Sequence, residues 1–240
     1  MNNLKQHIDV YVGDISRLKN DSAKCEEYLS GLSEYRRNKC LRYKNDTASV
    51  LSIGAGQLLK TALSKYGINE MFAEYGFSEN GKPYILHYPM IEFNISHSHD
   101  KVMCVISSDG IKLGCDIESV KSGKLKVAKR FFSKSENDML DSLSDEKEKD
   151  ALFTELWTLK ESFIKCTGEG LGRSMDSFEF YKDNGNFNIK TFDSDKNDFI
   201  RNERLYFETY DNIEGYYYSL CSFKSSVLSR TNIDLYNLIL

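Results

Sequence analysis

The longest helical pattern in the chain constrains its fold most strongly. The pattern runs from Asp145 to Cys166. Apolar residues recur along it at spacings of three and four: Leu152, Leu156, Leu159 and Phe163. This spacing predicts a helix with one apolar stripe, and a stable domain must cover that stripe with another layer.

Alternating apolar and polar residues predict strands on both sides of this helix. The segments IDVYVGDI, IEFNIS, LYFETY and GYYYSLCSF have the period of two that is typical of half-buried strands. Asp109-Gly110 and Asn184-Gly185 predict hairpin turns, the first of them within KVMCVISSDGIKLGCDIE. The order of the predicted elements is similar in each half of the chain, so we predict an α+β fold with two lobes, spanning residues 1–105 and 106–240.

Three further helices are predicted from their start signals. Ser33 is a candidate N-cap for the helix EYRRNKCLRY, and Asp46 for the helix that follows it. Ser133 and Glu136 have the spacing of a capping box. The charged stretch FDSDKNDFIRNERL predicts a surface loop.

Composition excludes several classes of protein. The 240 residues are 40% hydrophobic and 28% charged, with a net charge of −4 that argues against nucleic-acid binding. No apolar run approaches the roughly 18 residues of a membrane span. The six cysteines form no C-x-x-C pair and predict reduced thiols, and the first residues turn polar too early for a signal peptide. We expect a cytoplasmic protein.

The segment IKLGCDIE places two acids on one face of a strand. Asp116 and Glu118 lie two residues apart, so their Cβ atoms are about 6–7 Å apart at a rise of ~3.3 Å per residue. Such a pair is most often an idle solvent face. Glu161 and Lys165 share a face of the long helix, where the simplest interpretation is a surface ion pair.

Two other motifs carry polar groups suited to chemistry. Ser96 and His97, at the end of a strand, can donate hydrogen bonds to phosphate oxygens. A zinc site at His97 and His99 is an alternative, but no further Cys or His occurs at ligand spacing. GEGLG follows a helix rather than a strand, which excludes a dinucleotide-binding loop.

Four motifs, in this order along the chain, resemble those of the 4′-phosphopantetheinyl transferases of the surfactin-synthetase-activating type: GKPYI, FNISHS, LGCDIE and LWTLKESFIKCTGEGL. The resemblance covers roughly residues 8–182. It implies that the chain transfers the phosphopantetheine arm of coenzyme A to a serine of an apo acyl or peptidyl carrier protein, releasing 3′,5′-ADP. It also implies Mg²⁺ as cofactor and a monomer with two similar lobes in a pseudo-twofold arrangement. The first lobe would bind coenzyme A, and the second would bind Mg²⁺ and carry the catalytic residues.

The same resemblance implies roles for individual residues. The implied Mg²⁺ ligands are Asp116, Glu118 and Glu161. Glu161 is also the candidate base, and Lys165 stabilises charge on the pyrophosphate. The implied coenzyme-binding residues are Arg36, Lys39, Lys82, Ser96, His97 and Lys165.

One segment departs from the family pattern. After Asp46 the family carries Arg and then Ser or Thr, whereas this chain has Thr47, Ala48 and Ser49. Either Ser49 substitutes with a shift of one residue, or this contact to the 3′-phosphate is absent. Two alternative functions stay open: a non-catalytic homologue that binds carrier proteins, and a metal-dependent nucleotide phosphohydrolase.

The lysine-rich segment 120–132 is a candidate surface for the carrier. It contains five basic residues and no acid. Because the whole chain is negative, a local basic patch is needed to attract an acidic partner.

Overall fold

The computed structural model describes residues 7–213, 215–223 and 227–237. Six α-helices lie in the described residues: α1 (Ser22–Ser30), α2 (Glu34–Leu41), α3 (Asp46–Ser64), α4 (Leu125–Phe131), α5 (Lys134–Ser142) and α6 (Glu146–Thr167). The strands are β1 (His7–Asp14), β2 (Tyr75–Phe77), β3 (Pro83–Ile85), β4 (Glu92–Ser98), β5 (Lys101–Ser107), β6 (Leu113–Ser119), β7 (Phe178–Asp183), β8 (Asn186–Asp193), β9 (Asp198–Arg201), β10 (Tyr206–Ile213), β11 (Tyr216–Ser222) and β12 (Val227–Ile233). The fold is α+β, as predicted.

The first sheet has the strand order β12-β1-β5-β4. The apolar side of α3 packs against it, in a core that includes Leu58, Leu59 and Phe93. β12 pairs with β1 in parallel, so the end of the described chain returns to its beginning. Leu235, just beyond β12, is fully buried in the same core.

The second sheet has the order β10-β11-β6, and α6 packs across it. The apolar stripe of α6 is buried as predicted, with Leu156 and Leu159 fully enclosed. β7, β8 and β9 form a separate sheet, and β2 pairs with β3. The β7–β8 turn confirms the Asn184-Gly185 prediction, because both residues have a positive φ.

The Asp109-Gly110 hairpin prediction is wrong. Gly110 does turn the chain, with φ +65°, but β5 and β6 belong to different sheets. β5 is an apolar strand paired on both sides, with β1 and β4, so neither of its edges is open to β6. The turn therefore carries the chain from one sheet to the other.

The predicted division between residues 105 and 106 falls inside β5, and β12 from the second part lies in the first sheet. The division into two lobes stays a prediction.

Two local predictions need correction, and two are confirmed. Asn45, not Asp46, is the N-cap of α3, since its side chain accepts the Thr47 N–H at 2.8 Å. The charged stretch predicted as a loop contains β9. Ser33 caps α2, and the capping box at Ser133 is present.

Candidate active site

Gly114 allows α6 to lie directly against β6. A Cβ atom at this position would be 2.2 Å from the Ser162 carbonyl oxygen and 2.3 Å from the Cys166 nitrogen. Side chains alternate along a strand, so Asp116 projects on the same side as Gly114. The close contact therefore brings Asp116 next to the helix turn that carries Glu161 and Lys165.

Asp116 and Lys165 form the central ion pair of the site. The Lys165 Nζ lies 2.6 Å from Asp116 Oδ1, and Ser96 Oγ donates to the same oxygen at 2.7 Å. Burial of the Lys165 ammonium acts to lower its pKa, but the negative groups around it, Asp116 first, together outweigh burial, and the pKa is raised. Lys165 is thus held as a cation, paired with Asp116 rather than with Glu161 as a surface pair would require.

Glu118 lies further along the same face of β6. Its Oε2 accepts a hydrogen bond from Ser98 Oγ at 2.7 Å. Burial raises the pKa of Glu118, and repulsion from Asp116 adds to the effect. The pKa of Glu161 is raised for the same reasons, burial first and then the charge of Asp116. Three carboxylates thus share one partly desolvated region.

The donor chemistry of these three acids fits a hard divalent cation. In the part of the chain that the structure describes, no three His, Cys, Asp or Glu side chains are arranged to hold a metal as they stand. Asp116 Oδ2, however, is buried and has no hydrogen-bond partner among the described residues. An unpartnered buried carboxylate oxygen is costly, and carboxylates are the ligands that Mg²⁺ prefers. Asp116, Glu118 and Glu161 are therefore the side chains that could hold such an ion.

A cationic recess of about 120 Å³ opens beside these acids, lined by Arg36, Lys39, Ser52 and His97 among others. The described residues that line it include no carboxylate. Arg36 is 3% exposed, and its Nε has no hydrogen-bond partner in the part of the chain that the structure describes. A buried, incompletely satisfied guanidinium among other cations suits a phosphate group.

The pKa of His97 is lowered by its surroundings. Its side chain remains accessible to solvent, but the walls of the recess desolvate the charged ring, and Lys165, Lys39 and Arg36 add repulsion. Burial, followed by the charge of Arg36, also lowers the pKa of Lys39. A bound anion would relieve the repulsion among these cations.

The recess continues into a larger cavity of about 740 Å³. Both are lined by Pro83, Asn94 and Ile95, and the larger one also by Lys82, Glu161 and Lys165. Lys82 Nζ donates to the Leu113 carbonyl at 2.9 Å. The structure therefore joins the predicted cationic residues and Glu161 along one continuous surface.

The two faces of β4 make different contacts at this surface. Phe93, Ile95 and His97 line the recess. On the other face, Asn94, Ser96 and Ser98 each bind β6, and Asn94 also borders the recess. Ser96 and His97, predicted to act together, thus lie on opposite faces.

Several contributing residues were not predicted. Ser52 lines the recess, whereas Ser49 donates to the Cys40 carbonyl at 3.3 Å. Asn94 and Ser98 were also missed, although their spacing from Ser96 was a usable signal. His99 is exposed, and its Nδ1 lies 2.7 Å from Asp100 Oδ2.

Trp157, one turn before Glu161, is half-buried in an aromatic cluster. Its ring stacks on Phe153 at 5.8 Å and meets Phe131 edge-on at 6.2 Å. It also lines the larger cavity and a smaller one of about 220 Å³, which is bordered by Glu118, Lys121 and Lys124. The aromatic cluster therefore forms the apolar floor of the site.

Comparison with known proteins places this chain in one family. Residues 112–221 match the model of the 4′-phosphopantetheinyl transferase superfamily. A 4′-phosphopantetheinyl transferase of Bacillus subtilis is 36% identical over 199 residues, covering 82% of this chain and 84% of that protein. The gsp transferase of Aneurinibacillus migulanus is 32% identical, covering 87% and 84%.

A solved structure, the holo-[acyl-carrier-protein] synthase of Thermotoga maritima, is also similar. It has a TM-score of 0.38 and 21% identity, covering 48% of this chain and 64% of that one.

The chain is a transferase. It belongs to the 4′-phosphopantetheinyl transferase superfamily, as its motifs predicted. Within the described residues, no helix has the length and apolar character needed to cross a membrane.

Proposed function

We propose that this enzyme transfers the 4′-phosphopantetheine group of coenzyme A to a serine hydroxyl of an apo carrier protein, with Mg²⁺, and releases 3′,5′-ADP. The observation that carries the proposal is that the cationic recess shares lining residues with a larger cavity, which is also lined by Glu161 and Lys165. The recess suits the terminal phosphate of the coenzyme, and Lys165 suits its pyrophosphate. The relatives named above support the same reaction.

The proposed reaction breaks one P–O bond and forms another. The serine oxygen attacks the phosphorus that bears the pantetheine arm, and the bond to the 3′,5′-ADP oxygen breaks. Glu161 takes the serine proton. Lys165 stabilises negative charge on the departing phosphate.

The remaining residues bind and orient the coenzyme. Arg36, Lys39 and His97 hold its 3′-phosphate, and Lys82 neutralises further phosphate charge. Asp116, Glu118 and Glu161 hold Mg²⁺, which when bound offsets charge on the pyrophosphate. Ser96 keeps the Asp116–Lys165 pair in place through its hydrogen bond to Asp116.

We place the carrier at the smaller cavity beside Glu118. Lys121 and Lys124 border this cavity, and Val127 and Trp157 supply apolar surface. This arrangement suits an acidic partner that presents its serine towards the carboxylates. We propose that the enzyme acts as a monomer, which sedimentation velocity tests.

The decisive experiment incubates the enzyme with coenzyme A, Mg²⁺ and an apo carrier, and measures the carrier by mass spectrometry. We expect a mass gain of one phosphopantetheine and release of 3′,5′-ADP. Glu161→Gln removes the proposed base and should abolish the gain, with an unchanged unfolding curve as its control. No gain with the wild-type enzyme would indicate a binding homologue, and coenzyme breakdown without a carrier would indicate a phosphohydrolase.

A further inference from the structure

Ser98 lies at the junction between the two main sheets and is 7% exposed. Its Oγ donates to Glu118 Oε2 at 2.7 Å and accepts the Ser119 N–H at 3.2 Å. A serine hydroxyl has one hydrogen to donate. In this structure that hydrogen goes to the Glu118 carboxylate.

The neighbouring contacts of β4 show that this one is specific. Asn94 Oδ1 accepts the Cys115 N–H at 3.0 Å, a bond to the backbone of β6. Ser96, in contrast, donates to the side chain of Asp116. Each acid on β6 thus has its own serine on β4, while Asn94 joins the two strands.

Glu118 depends on Ser98 more than Asp116 depends on Ser96. Asp116 also has the Lys165 ammonium 2.6 Å away. Glu118 has no Lys or Arg nitrogen within 4.0 Å among the residues that the structure describes. The longer Glu side chain also has more rotamers to restrict. One hydrogen bond from a buried serine is therefore what orients it.

We propose that Ser98 is a positioning residue that fixes the Glu118 carboxylate in the orientation needed to bind a divalent cation. The inference rests on the proposed function, because Glu118 is there assigned as a ligand. Residues that hydrogen-bond to metal ligands are typically worth about 10–100-fold in metal affinity. The structure assigns this role to a residue that does not touch the cation itself.

The experiment measures Mn²⁺ affinity directly, by water-proton relaxation on the full chain without coenzyme or carrier. Ser98→Ala should weaken Mn²⁺ binding about 10-fold or more. Ser98→Thr keeps the hydroxyl and should restore most of the affinity. Ser119→Ala is the matched control, because it removes a neighbouring buried hydroxyl that has no hydrogen-bond partner within the described ranges.

A double-mutant cycle separates positioning from general damage at the strand junction. In a Glu118→Gln background, Ser98→Ala should weaken Mn²⁺ binding no further, because its effect passes through the Glu118 carboxylate. Thermal unfolding of each variant controls for loss of fold. Additive effects in the cycle would overturn the proposal.

The outcomes also separate this inference from the proposed function. If the wild-type enzyme modifies the carrier and Ser98→Ala binds Mn²⁺ like Ser119→Ala, the positioning role alone is wrong. If the cycle succeeds but no carrier is modified, the positioning role stands and the transferase proposal fails. If the wild-type protein binds no Mn²⁺, the positioning role is overturned.

Discussion

Two lysines on α6 show how one helix serves both stability and the site. Lys160 is fully buried, and its three N–H donors have three acceptors: Glu136 at 2.8 Å and the carbonyls of Met175 and Phe178 at 2.8 and 2.9 Å. The Lys165 side chain is 28% exposed and has two acceptors, Asp116 and Ser96. One donor of Lys165 is left for the cavity, and this is the difference between a structural cation and one that can bind a ligand.

The pKa values of the two lysines are shifted in opposite directions. Burial lowers the pKa of Lys160 even though Glu136 opposes it. Lys165 has its pKa raised, because the negative groups around it, Asp116 first, together outweigh burial. Each lysine has a carboxylate partner, so the presence of a partner does not by itself decide the sign of the pKa shift. An ion pair on a site helix therefore does not by itself identify a functional residue.

The largest expected effect is on stability. Lys160→Ala leaves Glu136 buried without its counter-ion and should lower the free energy of unfolding by about 3–5 kcal/mol. Urea denaturation measures this. Adding Glu136→Gln removes the stranded charge and should recover part of the loss. If the urea midpoint of Lys160→Ala equals that of the wild-type protein, the structural role assigned to Lys160 is wrong.

The second expected effect is on turnover. Lys165→Ala should lower kcat by about 10²–10³-fold, because it removes a cation that acts on developing charge. KM for coenzyme A should change much less, and the urea midpoint should move less than in Lys160→Ala. Steady-state kinetics with a saturating carrier make the measurement. A change mainly in KM would assign Lys165 to ground-state binding.

A smaller effect is expected where α6 touches β6. Gly114→Ala places a methyl group against the backbone of Ser162 and Cys166, and should cost about 1–3 kcal/mol of stability through overpacking. Gly172→Ala is the control, since a Cβ atom there meets nothing within 4 Å. Thermal or urea unfolding compares the two. Equal stability of the two variants would show that the helix can move away without loss.

The smallest effect is in the alkaline pH dependence of stability. The ordinary lysine pKa is 10.5. The pKa of Lys160 is below 10.5 in the folded state. Its contribution to the free energy of unfolding therefore increases as pH rises from the folded pKa to 10.5. Lys165 has a higher pKa when folded, so its contribution is complete below 10.5 and is lost as pH rises through the folded pKa.

Substitution by Met should therefore act in opposite directions. In Lys160→Met, the free energy of unfolding should rise less with pH below pH 10.5 than it does in the wild-type protein. In Lys165→Met, it should fall less with pH above pH 10.5. Urea denaturation across this range, with EDTA present, provides the test. Slopes that change in the same direction would contradict the two pKa shifts.

Local signals predicted much of this molecule, and pairing between distant segments accounts for what they missed. The apolar stripe of α6, the capping box at Ser133 and the Asn184-Gly185 turn depend on neighbours in sequence, and all three are present. The Asp109-Gly110 turn looked equivalent. The strands on either side of this turn lie in different sheets, because β1 and β4 already pair with both edges of β5. A local sequence pattern does not indicate that pairing.

The site shows the same limit. Motifs identified Asp116, Glu161 and Lys165, and the structure brings them together. The spacing of Ser96 and Ser98 indicates a shared face of one strand. It does not indicate that Ser96 binds Asp116 or that Ser98 binds Glu118, because those contacts depend on how the two sheets meet.

The parallel pairing of β1 with β12 has a consequence for synthesis of the protein. His7 pairs with Val227, so β1 leaves the ribosome 220 residues before its partner strand. At roughly 5–20 residues per second, that delay is about 10–45 s. During this time one edge of β1 is unpaired and open to other nascent chains. The protein should therefore be most prone to aggregate while its last strand is still being translated.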